Sequence, residues 1–152
     1  MSILWSLHLR REAASVPLAR RLLLGAMDAA GVDPDISFDL SVALSEACAN
    51  AVEHGGAASV DGAGGDYRVT AYLDGERCRI EVADSGPGFP AGRARTAARP
   101  AAGSAESGRG LCLIEQLADH VHFGNRPGAH GGAVVSFDKI LKWREDAPLS
   151  VV

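Results

Sequence analysis

Residues 44–55 read LSEACANAVEHG. Three polar side chains, Glu46, Asn50 and His54, recur at intervals of four among small and apolar neighbours. On an α-helix such a spacing puts them on nearly one face. Asn is a poor helix former in mid-helix, so its place there asks for a reason beyond propensity. Ala47, Ala49 and Ala51 are small and leave room for something to approach that face. A carboxylate one turn from a carboxamide suits magnesium and an activated hydroxyl: the amide oxygen is a hard ligand, and the carboxylate can orient or deprotonate a nucleophile. His54 falls in the last turn, where a cation complements the helix dipole, and needs no chemical role.

Working outward, this helix is expected over residues 34–54, starting after Asp33 with Pro34 in its first turn and ending at Gly55 and Gly56. Upstream, residues 3–9 alternate as a strand. Residues 14–30 carry apolar groups at helical spacing, with Ser15 as cap before Pro17 and Gly31 as terminator. Downstream, GGAASVDGAGG reads as a loop. Residues 67–73 and 77–83 alternate as two strands, joined by a two-residue turn at Asp74-Gly75. Residues 85–109 form a long Gly/Pro/Ala/Arg-rich loop, a length that often marks a lid. A helix over 110–119 follows, then a short strand at 120–124, a turn at NRPGAHGG, a last strand at 133–140 and a loose tail from about Trp143. The sum is an α+β chain: a two-layer α/β sandwich with a mixed or antiparallel sheet of about five strands and three helices on one face. A domain at 1–142 and a tail at 143–152 are expected.

The 152 residues favour one compact domain. A net charge of -4 argues against general nucleic-acid binding. Cys48, Cys78 and Cys112 show no metal-ligand spacing and suggest reduced thiols of a cytosol. No apolar run approaches the ~20 residues that cross a bilayer.

Two further stretches carry candidate chemistry. In VADSGPGF, residues 82–89, Asp84 ends a strand and Gly86 and Gly88 follow at alternate positions. Such residues favour turns. A buried carboxylate at a strand end also accepts a hydrogen bond from an exocyclic amino group, which selects adenine over guanine. Glycines let a base or sugar approach the backbone. In SGRGLCLIEQLADHV, residues 107–121, Gly108 and Gly110 precede an amphipathic helix. That is either a plain helix entry or a cradle of free N–H groups for phosphate. Arg93, Arg95, Arg99 and Arg109 lie in or beside the preceding loop, a local cationic segment in an acidic chain.

Taken in order, the E-x-x-x-N helix, the strand with DxGxG, the lid and the GxG helix resemble the GHKL ATPase superfamily. Within it the chain looks most like the anti-sigma-factor serine/threonine kinases. SEACANAVEHG corresponds to the N box, DSGPGF to the first glycine box and SGRGLCLIEQLAD to the second. The chain departs from the common pattern with Ala49 before the Asn and Gly56, Ala57 and Ala58 after the His-Gly. Nothing in these residues resembles a dimerisation and phosphoacceptor helix pair, so a complete sensor histidine kinase is not expected.

The resemblance implies the Bergerat ATP-binding fold, with ATP and Mg²⁺ as cofactors. It implies that Glu46 is the catalytic base, that Asn50 binds Mg²⁺ and that Asp84 reads the adenine amino group. Gly86 and Gly88 would shape the base pocket, and Gly108, Arg109, Gly110 and Leu111 would wrap the phosphates under a lid at about 89–109. It implies a cytoplasmic, homodimeric protein kinase that phosphorylates a STAS-type anti-sigma factor antagonist and sequesters a sigma factor, without direct contact to nucleic acid or membrane. The alternative is an ATP-binding regulatory module that acts on its partners by binding alone.

Overall fold

The computed structural model describes residues 2–54, 65–86, 88, 105–125 and 132–145, and of residues 105–109 the backbone alone. Five strands and three helices follow in the order β1 (Ser2–Leu9), α1 (Ser15–Ala30), α2 (Pro34–His54), β2 (Tyr67–Leu73), β3 (Arg77–Asp84), α3 (Ala105–Leu117), β4 (His120–Asn125) and β5 (Ala133–Ile140). The sheet has the order β1-β2-β3-β5-β4. Every neighbouring pair is antiparallel, so the sheet is antiparallel rather than mixed.

The register explains the two layers. Val69 pairs with Val82, Ala71 with Ile80, Val82 with Val135 and Ile80 with Phe137, so these side chains share one face. All are buried, whereas Arg68, Arg79 and Glu81 alternate with them on the open face. The helices cover the apolar face. On α1, Ser15, Ala19, Leu23, Met27 and Ala30 recur at helical spacing and are buried. On α2 the buried stripe is wider, with Ile36, Leu40, Ala43, Leu44, Ala47, Cys48 and Ala51, because α2 is flanked by α1 on one side and α3 on the other. The alanines let the neighbours come close. Full burial of a side chain such as Leu23 or Leu44 stabilises by roughly 1.5–3 kcal/mol each.

A buried polar chain pins the helices to the sheet. Ser15 Oγ donates to Glu12 O at 2.7 Å. Its single proton being used there, Tyr67 Oη, 2.5 Å away, is the donor to Ser15. The Cys48 thiol of α2 neighbours the Tyr67 hydroxyl, so α1, α2 and β2 meet at one point. Ser15 is therefore not the cap that the sequence suggests: Ala14 takes the N-cap position without a side-chain bond, and the hydroxyl serves the core instead. Gly31 does end α1, with φ 90° and its amide on Met27 and Asp28 carbonyls.

Three further expectations need correction. The β2–β3 hairpin turns one residue later than expected. Asp74 N–H donates to Arg77 O, which leaves Gly75 and Glu76 between them, and Asp74 Oδ1 accepts the amides of Glu76 and Arg77. An Asx turn wins because the short carboxylate satisfies both donors. The segment from Trp143 is not loose at its start: Trp143 Nε1 donates to Gly75 O, and Arg144 N–H donates to Gly31 O. Arg144 also pairs with Asp28 at 3.0 Å. The third helix starts at Ala105, five residues before the expected 110, which bears directly on the site. No described helix is long and apolar enough to cross a membrane.

Candidate functional site

Asp84 is the last residue of β3 and only 5% exposed. Its Oδ1 accepts two backbone amides, Gly86 N at 2.9 Å and Ala133 N at 3.0 Å. One comes from the turn that follows it and the other from the start of β5. The carboxylate is thus tied to two chain segments at once. Gly86 is buried beside it. Gly88 has φ 80°, a left-handed conformation that favours glycine. A Cβ at Gly88 would also lie 2.5 Å from Asn125 Oδ1, so the loop after Asp84 packs tightly on the end of β4.

Glu46 and Asn50 sit one turn apart on α2, both half-buried. A Cβ added at Gly110 would lie 3.0 Å from Glu46 Oε2, so the carboxylate faces the backbone of α3. His54 is exposed in the last turn of α2, with Nε2 3.6 Å from Glu53 Oε2, which fits an end-of-helix role. The row in the opening stretch therefore divides: Glu46 faces α3, Asn50 is half-buried one turn further on, and His54 faces solvent.

The second glycine motif differs from expectation. Gly108, Arg109, Gly110 and Leu111 all lie inside α3, which spans Ala105–Leu117. Helical continuation commits amides from about Gly108 onward to the helix's own ladder, and the free N–H groups are those of the first turn before it. The expected cradle of loop amides at Gly108 and Gly110 is replaced by a helix N-terminus about one turn earlier. Such an end favours an anion through its free amides and dipole. The C-terminal half of α3 is anchored by the fully buried Ile114. Lys139 Nζ donates to Leu117 O at 2.7 Å and stands 3.6 Å from Asp39 of α2. Most of the expected lid, residues 89–104 with Arg93, Arg95 and Arg99, lies outside the described residues, as does the glycine-rich loop after His54.

The sequence reading passed over two contributors. Arg11 donates from Nη2 to Val52 O at 2.7 Å and from Nε to Ala51 O at 3.3 Å, closing the C-terminal turn of the helix that carries Asn50. A cation on orphan carbonyls is favourable there, but nothing in the local sequence pairs position 11 with 52. Gly132 is the other, packed directly against Asp84.

A purine and a magnesium–phosphate group fit this donor set. A buried, doubly anchored carboxylate suits an exocyclic amine. An amide oxygen on Asn50 suits magnesium, which takes one or two protein ligands and completes its shell with phosphate and water. No group of three or more His, Cys, Asp or Glu gathers among the described residues, so a metal caged by protein side chains is not what those residues build. On the opposite face of the sheet, a depression of about 390 Å³ lined by His8, Arg68, Tyr72 and Glu81 reaches the rim at Asp84. Its charges are of mixed sign and select no ligand class.

Residues 9–139 match the family model of the histidine kinase-like ATPase domain. The serine-protein kinase RsbW of Bacillus subtilis is 32% identical over 132 residues, covering 83% of this chain and 78% of that protein. The serine-protein kinase RsbW of Bacillus pumilus is 33% identical over the same length. Among solved structures, one comprising the RsbU and RsbW domains of a Mycobacterium tuberculosis protein superposes with TM-score 0.62 at 24% identity over 97% of this chain. This chain spans 34% of that one. The mycobacterial sensor histidine kinase MprB superposes with TM-score 0.55 at 19% identity over 71% of this chain and 74% of its own. Both superpositions report the same fold.

Proposed function

We propose, on the premise that this chain belongs to the histidine kinase-like ATPase domain family, that it is an ATP-dependent serine/threonine protein kinase acting on a small STAS-type antagonist protein. In this reading it holds a sigma factor when the antagonist is not engaged. Phosphorylation adds negative charge to the antagonist's surface and so decides which partner is held. The serine-protein kinase names of its relatives support the reaction class.

The observation that carries the kinase reading over binding alone is the position of Glu46, whose carboxylate abuts α3 at Gly110 while Asn50 lies one turn further along the same helix. Asp84 binds the purine amino group, and the N-terminus of α3 receives the phosphates. Asn50 is the side chain that would hold Mg²⁺, which supplies charge neutralisation at the phosphates when bound. Glu46 orients the acceptor hydroxyl and takes its proton. Arg11 keeps the Asn50 turn helical. A homodimer is part of the same reading. The exposed Ile3 on edge strand β1 and the exposed Leu18 and Leu22 on α1 support the N-terminal elements as its contact.

The test has two stages. Calorimetric titration of Mg-ATP and Mg-GTP should give saturable binding of ATP but not GTP, weakened by Asp84→Asn and Asn50→Ala. Incubation with Mg-ATP and a STAS-domain protein from the same cell, followed by intact-mass measurement, should add one phosphate. Glu46→Ala should abolish that addition and keep ATP binding. Undiminished phosphate transfer by Glu46→Ala would remove Glu46 from the mechanism, and absent ATP binding by the unaltered protein would sink the kinase reading.

A further inference from the structure

Two glycines near Asp84 are glycines for different reasons. Gly88 needs its left-handed φ. Gly132 has no such φ, since only Gly31 and Gly88 are positive among the described glycines. What excludes a side chain at Gly132 is space. A Cβ there would overlap the Asp84 carbonyl oxygen and would lie 2.6 Å from Asp84 Oδ1. Both clashes are with the residue that ends β3, and the carbonyl belongs to the backbone, which cannot swing away.

This close approach is what lets Ala133 N reach Asp84 Oδ1 at 3.0 Å. With Gly86 N at 2.9 Å on the same oxygen, the carboxylate is held from its own turn and from the neighbouring strand. Two N–H donors on one oxygen fix the rotation of the group, and with it the direction in which the second oxygen faces. They also demand an acceptor at that position.

We propose that Gly132, acting through the Ala133 amide, is a specificity-determining position that sets the orientation of Asp84 and thereby the choice between 6-amino and 6-oxo purines. The inference rests on the reading of Asp84 as the group that meets the base. It has a consequence that a merely stapling carboxylate lacks. In Asp84→Asn the two amides force the side-chain oxygen into the Oδ1 place, so the NH₂ takes the other. An NH₂ donates where the carboxylate accepted. The variant should then favour a 6-oxo purine.

The experiment measures binding of Mg-ATP, Mg-ITP and the triphosphate of unsubstituted purine riboside by calorimetry, with circular dichroism and melting to monitor the fold. The proteins are the unaltered chain, Gly132→Ala, Ala133→Pro, Asp84→Asn and, as a control in open space on α1, Gly25→Ala. Ala133→Pro removes the donor and puts its ring Cδ where the N–H pointed, so the carboxylate must turn away; it does so at the first residue of a strand, where proline is tolerated. The unaltered protein and the control should prefer ATP to ITP by about tenfold or more, the scale of one buried polar mismatch. Gly132→Ala and Ala133→Pro should bring that ratio close to one with little change for purine riboside triphosphate, which offers no 6-substituent. Asp84→Asn should reverse the ratio. A folded Gly132→Ala that keeps the original preference overturns the proposal. If that variant does not fold, a folded Ala133→Pro with the original preference overturns it equally. When preference disappears in Asp84→Asn but survives in both clamp variants, only the clamp is wrong. When the unaltered protein has no preference, the reading of Asp84 falls and the clamp with it.

Discussion

Asp84 and Glu46 are two carboxylates of one candidate site, and they are held in opposite ways. Asp84 is fixed by backbone: two amides grip one oxygen, and Gly132 presses on it from just before β5. Glu46 is placed by packing. It is the half-buried side chain of one helix, and it faces the backbone of another at Gly110. The first arrangement belongs to a sheet whose strands share a hydrogen-bonded ladder. The second depends on how α3 lies against α2. In the proposed function, base recognition would thus belong to the sheet layer, and phosphate chemistry to the contact between two helices.

The strongest way to break this contrast is to loosen α3 alone. Ile114→Ala removes its fully buried anchor, and the loss of packing and the resulting cavity should cost about 3 kcal/mol in urea unfolding. Transfer of phosphate should fall, while the preference for ATP over ITP in whatever binding remains is kept. If selectivity is lost as well, the two ends are not separate. Asp84→Ala attacks the other end and leaves the Gly86 and Ala133 amides without their acceptor. A stability loss of about 2 kcal/mol is expected together with loss of ATP binding.

The buried thiols test the shared core beneath both ends. Burial pushes Cys48 and Cys78 up from 9.0 to about 12, partly opposed at Cys48 by the neighbouring Tyr67 hydroxyl. The folded state then keeps protons that the unfolded chain releases. Stability should be intact below pH 9 and fall as pH rises from about 9 towards 12, by on the order of 1.4 kcal/mol per pH unit for each thiol. Burial also raises Tyr67, which steepens the fall above pH 10. Denaturant midpoints between pH 8 and 10 should show the slope, and Cys78→Val should reduce it by about half.

Smaller effects sharpen the comparison. Arg11→Met removes two bonds to the last turn of α2 and should cost about 1 kcal/mol, with faster hydrogen exchange confined to that turn. Gly110→Ala is the subtlest. Its gain in helix propensity, about 0.8 kcal/mol, is offset by a methyl group 3.0 Å from Glu46 Oε2. Net stability should barely change. Phosphate transfer should nevertheless fall about tenfold, since small displacements of a catalytic group are costly. Unimpaired transfer would show that Glu46 tolerates displacement.

Periodicity was enough to read most of the framework. Strand alternation located β1, β2 and β3, helical spacing located α1 and α2, and Gly31 and the glycines after His54 marked helix ends. These signals are local, which is why they are legible one residue after another. The same holds for Glu46, Asn50 and Asp84, whose type and spacing within an element mark them out. The start of α3 was misread because glycines inside a helix look like a loop. Tertiary contacts such as Ile114 in the core outweigh the roughly 1 kcal/mol that each glycine costs.

The chain by itself determined most of the elements, the two layers and the residues proposed to carry the chemistry, because each depends on neighbours within a few positions. Only the tertiary structure decided that Arg11 closes α2 and that Ser15 serves Tyr67 rather than its own helix. It alone placed Gly110 against Glu46, and it alone set Gly132 on Asp84 across 48 positions of sequence, as 132 minus 84 gives. Those relations are set by strand order and helix packing, which bring together residues that no local pattern links.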